Sequence, residues 1–472
     1  MAPIRRTLAS VAVLLLAGGC ASVSPDGGVG EVQALSQGRL QGVPAQLATG
    51  PTVASRAAVT ALLAQPLDVD AAVQVALLNN PALQASLATL GISDADRAQA
   101  GRLPNPHLSL GRLVEGDKVE IERALGFNLI ALLTLPWRAQ WAGQQTELVR
   151  LQAAQDVVRL AADTRKAWIL AVAAQQSAAY MRDVQDAAEA GAELARRMAR
   201  VGNLSRLNQA REQSFLAEAT GQLARAEQAA FANREQLTRL MGLWGAQAAF
   251  KLPARLPDLP ASARVLHDIE AQAIAQRLDV RSAAREAVFV ADSLGFERAT
   301  GFINALDLKV VRNTTFDNAA GTRETLRGAE IELPLPIFDW GQARNARAQA
   351  TYTQAVARVR DVGVRARSEA REAYHAYRTA YDLARHYRDE VVPLRKFIND
   401  EVLLRYNGMI SSIFELLADA RTNVAAVNAS LEAQRDFWLA DTDLQTTLSG
   451  TSPGALTRMQ AAGPAGAQAK GH

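Results

Sequence analysis

Cysteine occurs once in this chain, so no intramolecular disulfide can form. The five histidines are scattered, which argues against a histidine-built metal site, and the six methionines form no ladder for a soft metal ion. Neither sign of charge dominates, with 51 Lys+Arg against 48 Asp+Glu and a net charge of +3. No dense Lys/Arg block with interleaved aromatics is present, so nucleic acid is not an expected partner. Nor does any stretch supply the about 20 apolar residues that a membrane helix needs, so a membrane could be crossed only by strands. There is no Ser/His/Asp set, no Gly-rich phosphate loop and no carboxylate pair in a cleft-like context. We therefore expect no catalytic residue, no metal and no cofactor.

What is present begins at the N-terminus. Arg5-Arg6 precede a short apolar run from Leu8 to Leu16, followed by Ala17-Gly18-Gly19-Cys20. A basic start, a short apolar stretch and small residues make a signal peptide over 1–19. Small residues directly before a lone cysteine resemble the bacterial lipoprotein cleavage site, with Cys20 receiving the lipid. The alternative is an ordinary signal peptide with an incidental cysteine. Residues 20–66 are rich in Gly, Ser, Ala, Pro and Val without helical periodicity, and we expect an extended, lipidated tether there. Residues 450–472 are expected to be a disordered tail.

Between these ends the sequence repeats itself once, at an interval of about 200 residues. The run Ala76-Leu77-Leu78-Asn79-Asn80-Pro81-Ala82-Leu83 has its counterpart around Ile274–Val280, and Leu133-Thr134-Leu135-Pro136-Trp137 matches Leu333-Pro334-Leu335-Pro336-Ile337. A Pro-rich linker over 244–265 separates a first repeat, 67–243, from a second, 266–449.

Each repeat contains a long Ala-rich segment with sustained 3–4 spacing. The first series runs from Ala153 through Val157, Thr164, Ala167 and Ala171 to Ala199; the second runs from Ala355 through Ala366, Ala370, Tyr377 and Ala384 to Val391, Leu394 and Ile398. Such spacing predicts helices packed along their whole length, and the preponderance of Ala lets backbones approach closely. After a Gly-containing turn, each is followed by another Ala/Leu-rich segment, Asn208–Leu243 or Ile413–Leu448. Each repeat thus predicts a long antiparallel helical hairpin.

Ahead of each hairpin the period changes to two. Val119, Ile121, Leu125, Phe127 and Leu129 alternate with polar or small residues, Arg123 alone breaking the apolar face, and Leu108 and Leu110 make a partner strand. In the second repeat Leu306, Leu308 and Val310, then Ile331, Leu333 and Leu335, flank a turn near Asn318–Gly321. One apolar and one polar face suit a barrel with lipid outside and water inside, or equally a soluble sheet with one buried face. Four strands cannot close a barrel, and lipid tolerates no open edge, so the chain must pool strands with copies of itself. Three copies would give twelve strands, wide enough for an aqueous pore.

A signal-plus-Cys start, two repeats of helix, strand pair and hairpin, and the segments Ala76–Leu83, Leu103-Pro104-Asn105-Pro106, Leu333–Gly341 and Arg405–Arg421 together resemble the TolC-like outer-membrane efflux protein family over roughly 67–449. Where the second repeat reads Phe338-Asp339-Trp340-Gly341, the first reads Arg138-Ala139-Gln140-Trp141, a local departure. The resemblance implies an α+β membrane protein: a homotrimer whose twelve-stranded barrel lies in outer-membrane lipid and continues as an α-helical coiled-coil tunnel into the periplasm. It also implies a periplasmic adaptor (membrane fusion) protein and an inner-membrane transporter as partners, with passive efflux as the function.

By the same resemblance the hairpin tips, Gly202, Asn203, Leu204 and Ser205 with Gly408, Met409, Ile410 and Ser411, face the adaptor, although the same residues could serve only to turn the chain. Glu415 and Asp419 lie four residues apart beyond the second tip. In a trimer they could form acidic rings gating the tunnel's closed end, or else a solvated pair. Asn208 and Glu212 are the matching first-repeat positions. The competing functions are the outer channel of a type I protein secretion system, which uses the same fold, and a periplasmic coiled-coil adaptor or scaffold lipoprotein.

Overall fold

The computed structural model describes residues 22–300, 306–333, 338, 340–454 and 456. Cys20 and the signal segment lie outside the described residues, as do 334–337 and 339 of the second junction motif and the expected tail beyond 454 apart from 456. The chain divides into two compact units. One takes the described residues up to Glu31 together with Leu87–Gln152 and Arg281–Val362; the other takes Val32–Ser86, Ala153–Val280 and the described chain from Gly363 onward.

The first unit is built on a sheet of four strands, β1 (His107–Glu115), β2 (Lys118–Asn128), β3 (Asp307–Asp317) and β4 (Thr322–Glu332), in the order β1-β2-β3-β4 and antiparallel throughout. Pro104 and Pro106 keep the preceding residues out of helix. Gly116 closes the first hairpin at φ +58°. The Asp317 carboxylate closes the second by accepting the Ala319 and Ala320 N–H groups, and Gly321 completes the turn at φ +63°. The strand pair of one repeat joins that of the other where Leu125 lies opposite Val310 and Phe127 opposite Leu308. Register places these apolar residues and Ile331 on one face, and Glu120, Glu122, Lys309 and Glu330 on the other. Leu129 does not extend β2. The Asn128 carboxamide accepts the Ala131 N–H at 2.6 Å and caps a short helix, α5 (Leu129–Leu133).

The expectation of an extended segment over 21–66 is corrected by two helices, α1 (Val29–Ser36) and α2 (Val53–Leu63). Their signals are caps rather than periodicity. Asp26 accepts the N–H groups of Gly28 and Gly30 ahead of α1, and Thr52 and Ser55 exchange hydrogen bonds as a capping box at α2. Within the first unit the Ser24 N–H reaches the buried Asp94 carboxylate at 2.6 Å on α4 (Pro81–Ala100).

The second unit holds the hairpins from Ala153 and from Gly363 onward, and their first turns belong to the first unit. α6 (Leu135–Arg200) returns as α7 (Arg206–Leu240), and α10 (Gln342–His386), continued by a π turn at Tyr387–Val391 and by α11 (Val392–Asn407), returns as α12 (Ile413–Ser449). The expected seams are buried: Val157, Thr164, Ala167 and Ala171 in one, Ala366, Ala370, Ala373, Tyr377 and Ala384 in the other. The second seam shifts after the π turn, where Pro393 has no N–H to offer the helix. Leu394, expected in the seam, is 59% exposed.

Each hairpin ends in a matching lock. In the first repeat α3 (Val69–Asn79) breaks before Pro81, and Asn79 and Asn80 donate side-chain hydrogen bonds to the carbonyls of Met241, Gly242 and Leu240 just beyond and at the end of α7. Gly242 takes φ +66°, and a Cβ there would stand 2.6 Å from the Asn79 carbonyl oxygen. In the second repeat α8 (Ile269–Gln276) breaks at Arg277 before α9 (Leu278–Thr300), and the Leu278 N–H donates to the Gly450 carbonyl. The Arg277 guanidinium is buried and paired with Asp279 at 2.6 Å and Glu369 at 2.7 Å. Burial opposes its charge, and those two carboxylates outweigh burial and hold its pKa above the usual value. The Ser452 hydroxyl donates to Glu369, so this part of the expected tail is tied down.

Two outcomes follow. Gly242→Ala should lose at least about 2 kcal/mol of stability, because strain and collision add there. Gly221→Ala, in an open position on α7, should be neutral or gain about 0.5–1 kcal/mol; thermal unfolding of both variants in detergent checks the contrast. The Ser24 hydrogen bond holds the Asp94 carboxyl below its ordinary value against its burial. A depressed folded-state pKa means that this anchor is complete above about pH 3.9 and is lost as pH falls through the lower folded value. Hydrogen exchange at Ser24, followed from about pH 5 down to about pH 2, should accelerate only at the acid end, and Asp94→Asn should remove the transition.

Candidate functional site at the hairpin tips

The two tips reverse the chain differently. After α6, Gly202 adopts φ +78°, and the Asn203 N–H donates to the Met198 carbonyl at 2.9 Å. The Ser205 hydroxyl then accepts the Asn208 N–H and caps α7. At the second tip Gly408 has φ −79°, and the left-handed position falls one residue later, on Met409 at φ +59°. Glycine is therefore the turn residue only in the first repeat. A non-Gly residue held at positive φ stores about 1–3 kcal/mol of strain. Met409 is also 94% exposed, with Ile410 exposed beside it.

Glu415 and Asp419 separate in environment. Glu415 is exposed and sits in the first turn of α12, where Ser412 caps the helix by accepting the Glu415 N–H. Negative charge there is already favoured by the helix dipole. Asp419 is half-buried, with Oδ2 enclosed and without a hydrogen-bond partner. The two carboxylates share no partner among the described residues.

The link that does form joins the hairpins' returning arms. Glu212 of α7 is 5% exposed and accepts from the Arg421 guanidinium of α12 at 2.9 Å. That guanidinium also lies 4.5 Å from the Phe215 ring centroid. A groove of about 230 Å³ runs beside the pair, lined among others by Tyr180, Asp183, Asn399 and Asn423. Burial, with the Asp183 charge adding to it, pushes the Tyr180 phenol above its usual pKa. Near the end of α6, Glu193 accepts from Arg196 and Arg197, with Arg200 at 3.8 Å, and the Arg197 hydrogen bond leads the effects that lower its pKa. These cations also suit a helix C-terminus.

Sequence reading marked Glu212 only as the counterpart of a second-repeat position and missed Arg421. The signal was present as Arg421 at the end of the Arg405–Arg421 motif, but nothing local says that its partner lies about 200 residues away.

Arg421→Ala should leave a buried carboxylate without its cation and cost about 1–3 kcal/mol. Glu212→Gln should cost less, because it keeps a hydrogen-bond acceptor. Hydrogen exchange over 206–224 and 413–424 should rise more for the first variant than for the second; equal protection in both would show that the pair contributes nothing.

No protein-family model matches the chain, and no curated sequence matches it. Solved structures do. The CmeC outer membrane channel of Campylobacter jejuni superposes with a TM-score of 0.69 at 15% identity, over 82% of this chain and 87% of that one. The outer membrane protein VceC of Vibrio cholerae gives 0.66 at 14% identity over 81% and 96%. The open-state MtrE outer membrane channel of Neisseria gonorrhoeae gives 0.60 at 18% identity over 82% and 91%. The four-stranded sheet and paired helical hairpins of this chain are therefore the fold of the TolC-like outer-membrane channels.

Proposed function

We propose that this chain is the outer-membrane channel subunit of a tripartite efflux system, a passive conduit from periplasm to exterior. The observation that carries the reading is a four-stranded antiparallel sheet that has one largely apolar face and leaves β1 and β4 each with an unpaired edge. No described helix is long and apolar enough to cross a membrane. Strands cross lipid only when every edge is paired, so three copies close a twelve-stranded barrel, the β4 edge of one against the β1 edge of the next. The helical hairpins then form the periplasmic tunnel.

The remaining assignments belong to the same proposal. Cys20 carries the lipid that anchors the chain to the outer membrane. The tips at 202–205 and 408–411 meet a periplasmic adaptor, which links the channel to an inner-membrane transporter. The strain and exposure of Met409 support that role, because an apolar residue held out in water gains most from a partner. Glu415 and Asp419 line the closed end of the tunnel, with the Glu212–Arg421 pair holding neighbouring returning arms behind them. A sheet drawn equally from two repeats, each with its own hairpin, does not suit an adaptor, in which a single hairpin is inserted into small β domains.

Extraction from outer membranes in mild detergent should yield a trimer, and planar bilayers should record discrete, cation-selective conductance. Glu415→Gln with Asp419→Asn should lower that cation preference, and Cys20→Ser should abolish lipid attachment while leaving conductance intact. A monomer that leaves the membrane without detergent once its lipid is removed, and passes no current, would sink the channel reading.

A further inference from the structure

The apolar pattern of the sheet does not stop where the strands end. On the side of the helices its last rows are Leu125 with Val310, then Phe127 with Leu308 and Ile331. One position beyond the ladder the alternation reaches Leu129, Leu306 and Leu333, and the Leu129 N–H donates to the Leu306 carbonyl at 2.8 Å. Here the first repeat gives up the strand for α5. From Leu129 to Trp137 the chain is apolar except at Thr134, and Leu132, Leu133, Pro136 and Trp137 are exposed. Leu133 is 63% and Trp137 48% exposed.

Two features mark a boundary at this level. The first is a change of polarity along one side of the helix. At 3–4 spacing beyond Leu133 and Trp137 come Gln140 and then Gln144, whose amide donates to Asp292 at 2.9 Å. The second is duplication. Leu333, Phe338 and Trp340 are exposed in the second repeat, and the polar Gln342 and Arg344 follow at the start of α10. An exposed tryptophan thus stands just past the strand pair in both repeats, although Arg138-Ala139-Gln140-Trp141 and Phe338-Asp339-Trp340-Gly341 do not match.

Apolar side chains exposed singly need no explanation, but an apolar surface that runs on from a sheet into a helix does. The backbone of this step is suited to lipid. A helix satisfies its own donors and acceptors without a strand neighbour, and the one polar side chain is satisfied too: the Thr134 N–H and hydroxyl both donate to the Ile130 carbonyl, at 2.8 and 2.7 Å. Strand length sets the depth. β2, β3 and β4 each have 11 residues, which at a tilt of about 40° rise about 28 Å, against an apolar band about 25 Å tall. The step from strand to α5 therefore falls at the edge of that band. Tryptophan favours such an edge, because its ring is apolar and its N–H seeks a polar partner.

Resting on the barrel reading above, we infer that Leu132, Leu133 and Trp137, with Leu333 and Trp340 of the second repeat, form a collar seated in the periplasmic leaflet, where phospholipid acyl chains meet their headgroups. The leucines meet acyl chains and the indoles meet the headgroup layer. The collar fixes the height of the barrel in the bilayer. Movement of the chain toward the exterior would draw Gln140 and Gln144 into hydrocarbon, and movement toward the periplasm would leave Leu132 and Leu133 in water. The helix at Leu129–Leu133, where strand alternation alone would continue β2, is then the element that turns a spanning strand into an interfacial anchor.

The test uses the full chain in phosphatidylcholine vesicles whose acyl chains carry bromine, a contact quencher of tryptophan, either near the headgroup or near the chain end. Bromine near the headgroup should quench the native fluorescence at least about twofold more than bromine near the chain end, and Trp137→Phe with Trp340→Phe should lower that quenching at least about threefold. Trp168, Trp244 and Trp438 belong to the other unit and should answer only to iodide in the water or to nothing. Trp137→Phe alone should give the same effect in smaller measure and serves if the double variant does not assemble. Equal lipid quenching of native and variant protein would overturn the proposal. So would Trp137 and Trp340 that iodide alone reaches, or that no quencher reaches, the second being the result for rings covered by a neighbouring copy. Leu125→Trp in the double variant separates this inference from the barrel reading. Quenching of that reporter by bromine near the chain end, without lipid quenching of Trp137 and Trp340, would leave the barrel and remove the collar. A reporter that no brominated lipid quenches would remove the barrel reading and the collar with it.

Discussion

A sheet of four strands leaves two rows of backbone donors and acceptors without a strand partner, and the rest of this architecture follows from where those rows are asked to sit. In water an open edge is tolerable. In hydrocarbon each unpaired group costs several kcal/mol, so a sheet with one apolar face and two open edges cannot be a membrane element by itself. The edges here belong to different repeats, β1 to the first and β4 to the second, while β2 and β3 join the repeats in the middle. Duplication of a strand pair thus yields one continuous sheet whose two open edges come from different repeats.

The repeats agree in geometry more than in chemistry. Both end their hairpin at a glycine, and both tie that glycine's neighbourhood to a break between two helices. The first does so with two neutral amides, Asn79 and Asn80; the second buries the charged trio Arg277, Asp279 and Glu369 in the corresponding place. A neutral lock tolerates the loss of one hydrogen bond, whereas removal of one partner of a buried ion pair strands the other charge. The tips diverge likewise, since the left-handed residue is Gly202 in one and Met409 in the other.

Much of this was legible because it rests on period. The alternation in 119–127 and 306–310 and the 3–4 spacing of alanines hold in the sheet and in the buried seams. The misses share a different cause. Leu129 fits the strand alternation, but Asn128 caps a helix, a single hydrogen bond that overrides the pattern. The segment over 21–66 has no period, yet Asp26 and the Thr52–Ser55 box start helices there, because capping is chosen by one or two side chains. Leu394 was placed in the seam by counting, and the count fails across the π turn, which inserts a residue without a mark in composition. Glu212–Arg421 is a long-range pair, invisible to any local rule.

Stability along the hairpins is graded, and the grading says which end gives way first. Near the glycine locks the helices share extensive cores, with Trp168, Leu237 and Met241 in one and Tyr377, Phe437 and Leu444 in the other. The Trp168 indole N–H also donates to the Leu67 carbonyl, and the Tyr381 hydroxyl to the Pro260 and Ala261 carbonyls. Toward the tips the buried cluster thins to Met181, Val184, Ala188 and Ala219, and polar contacts take over. Low-stability segments are the ones that move, and those with the fewest buried apolar contacts open first. A rearrangement confined to the tips would have to break about one charge-assisted pair, worth about 1.5–3 kcal/mol. Movement at the locks would disrupt cores that carry much more. The fold therefore concentrates its softness at the tips.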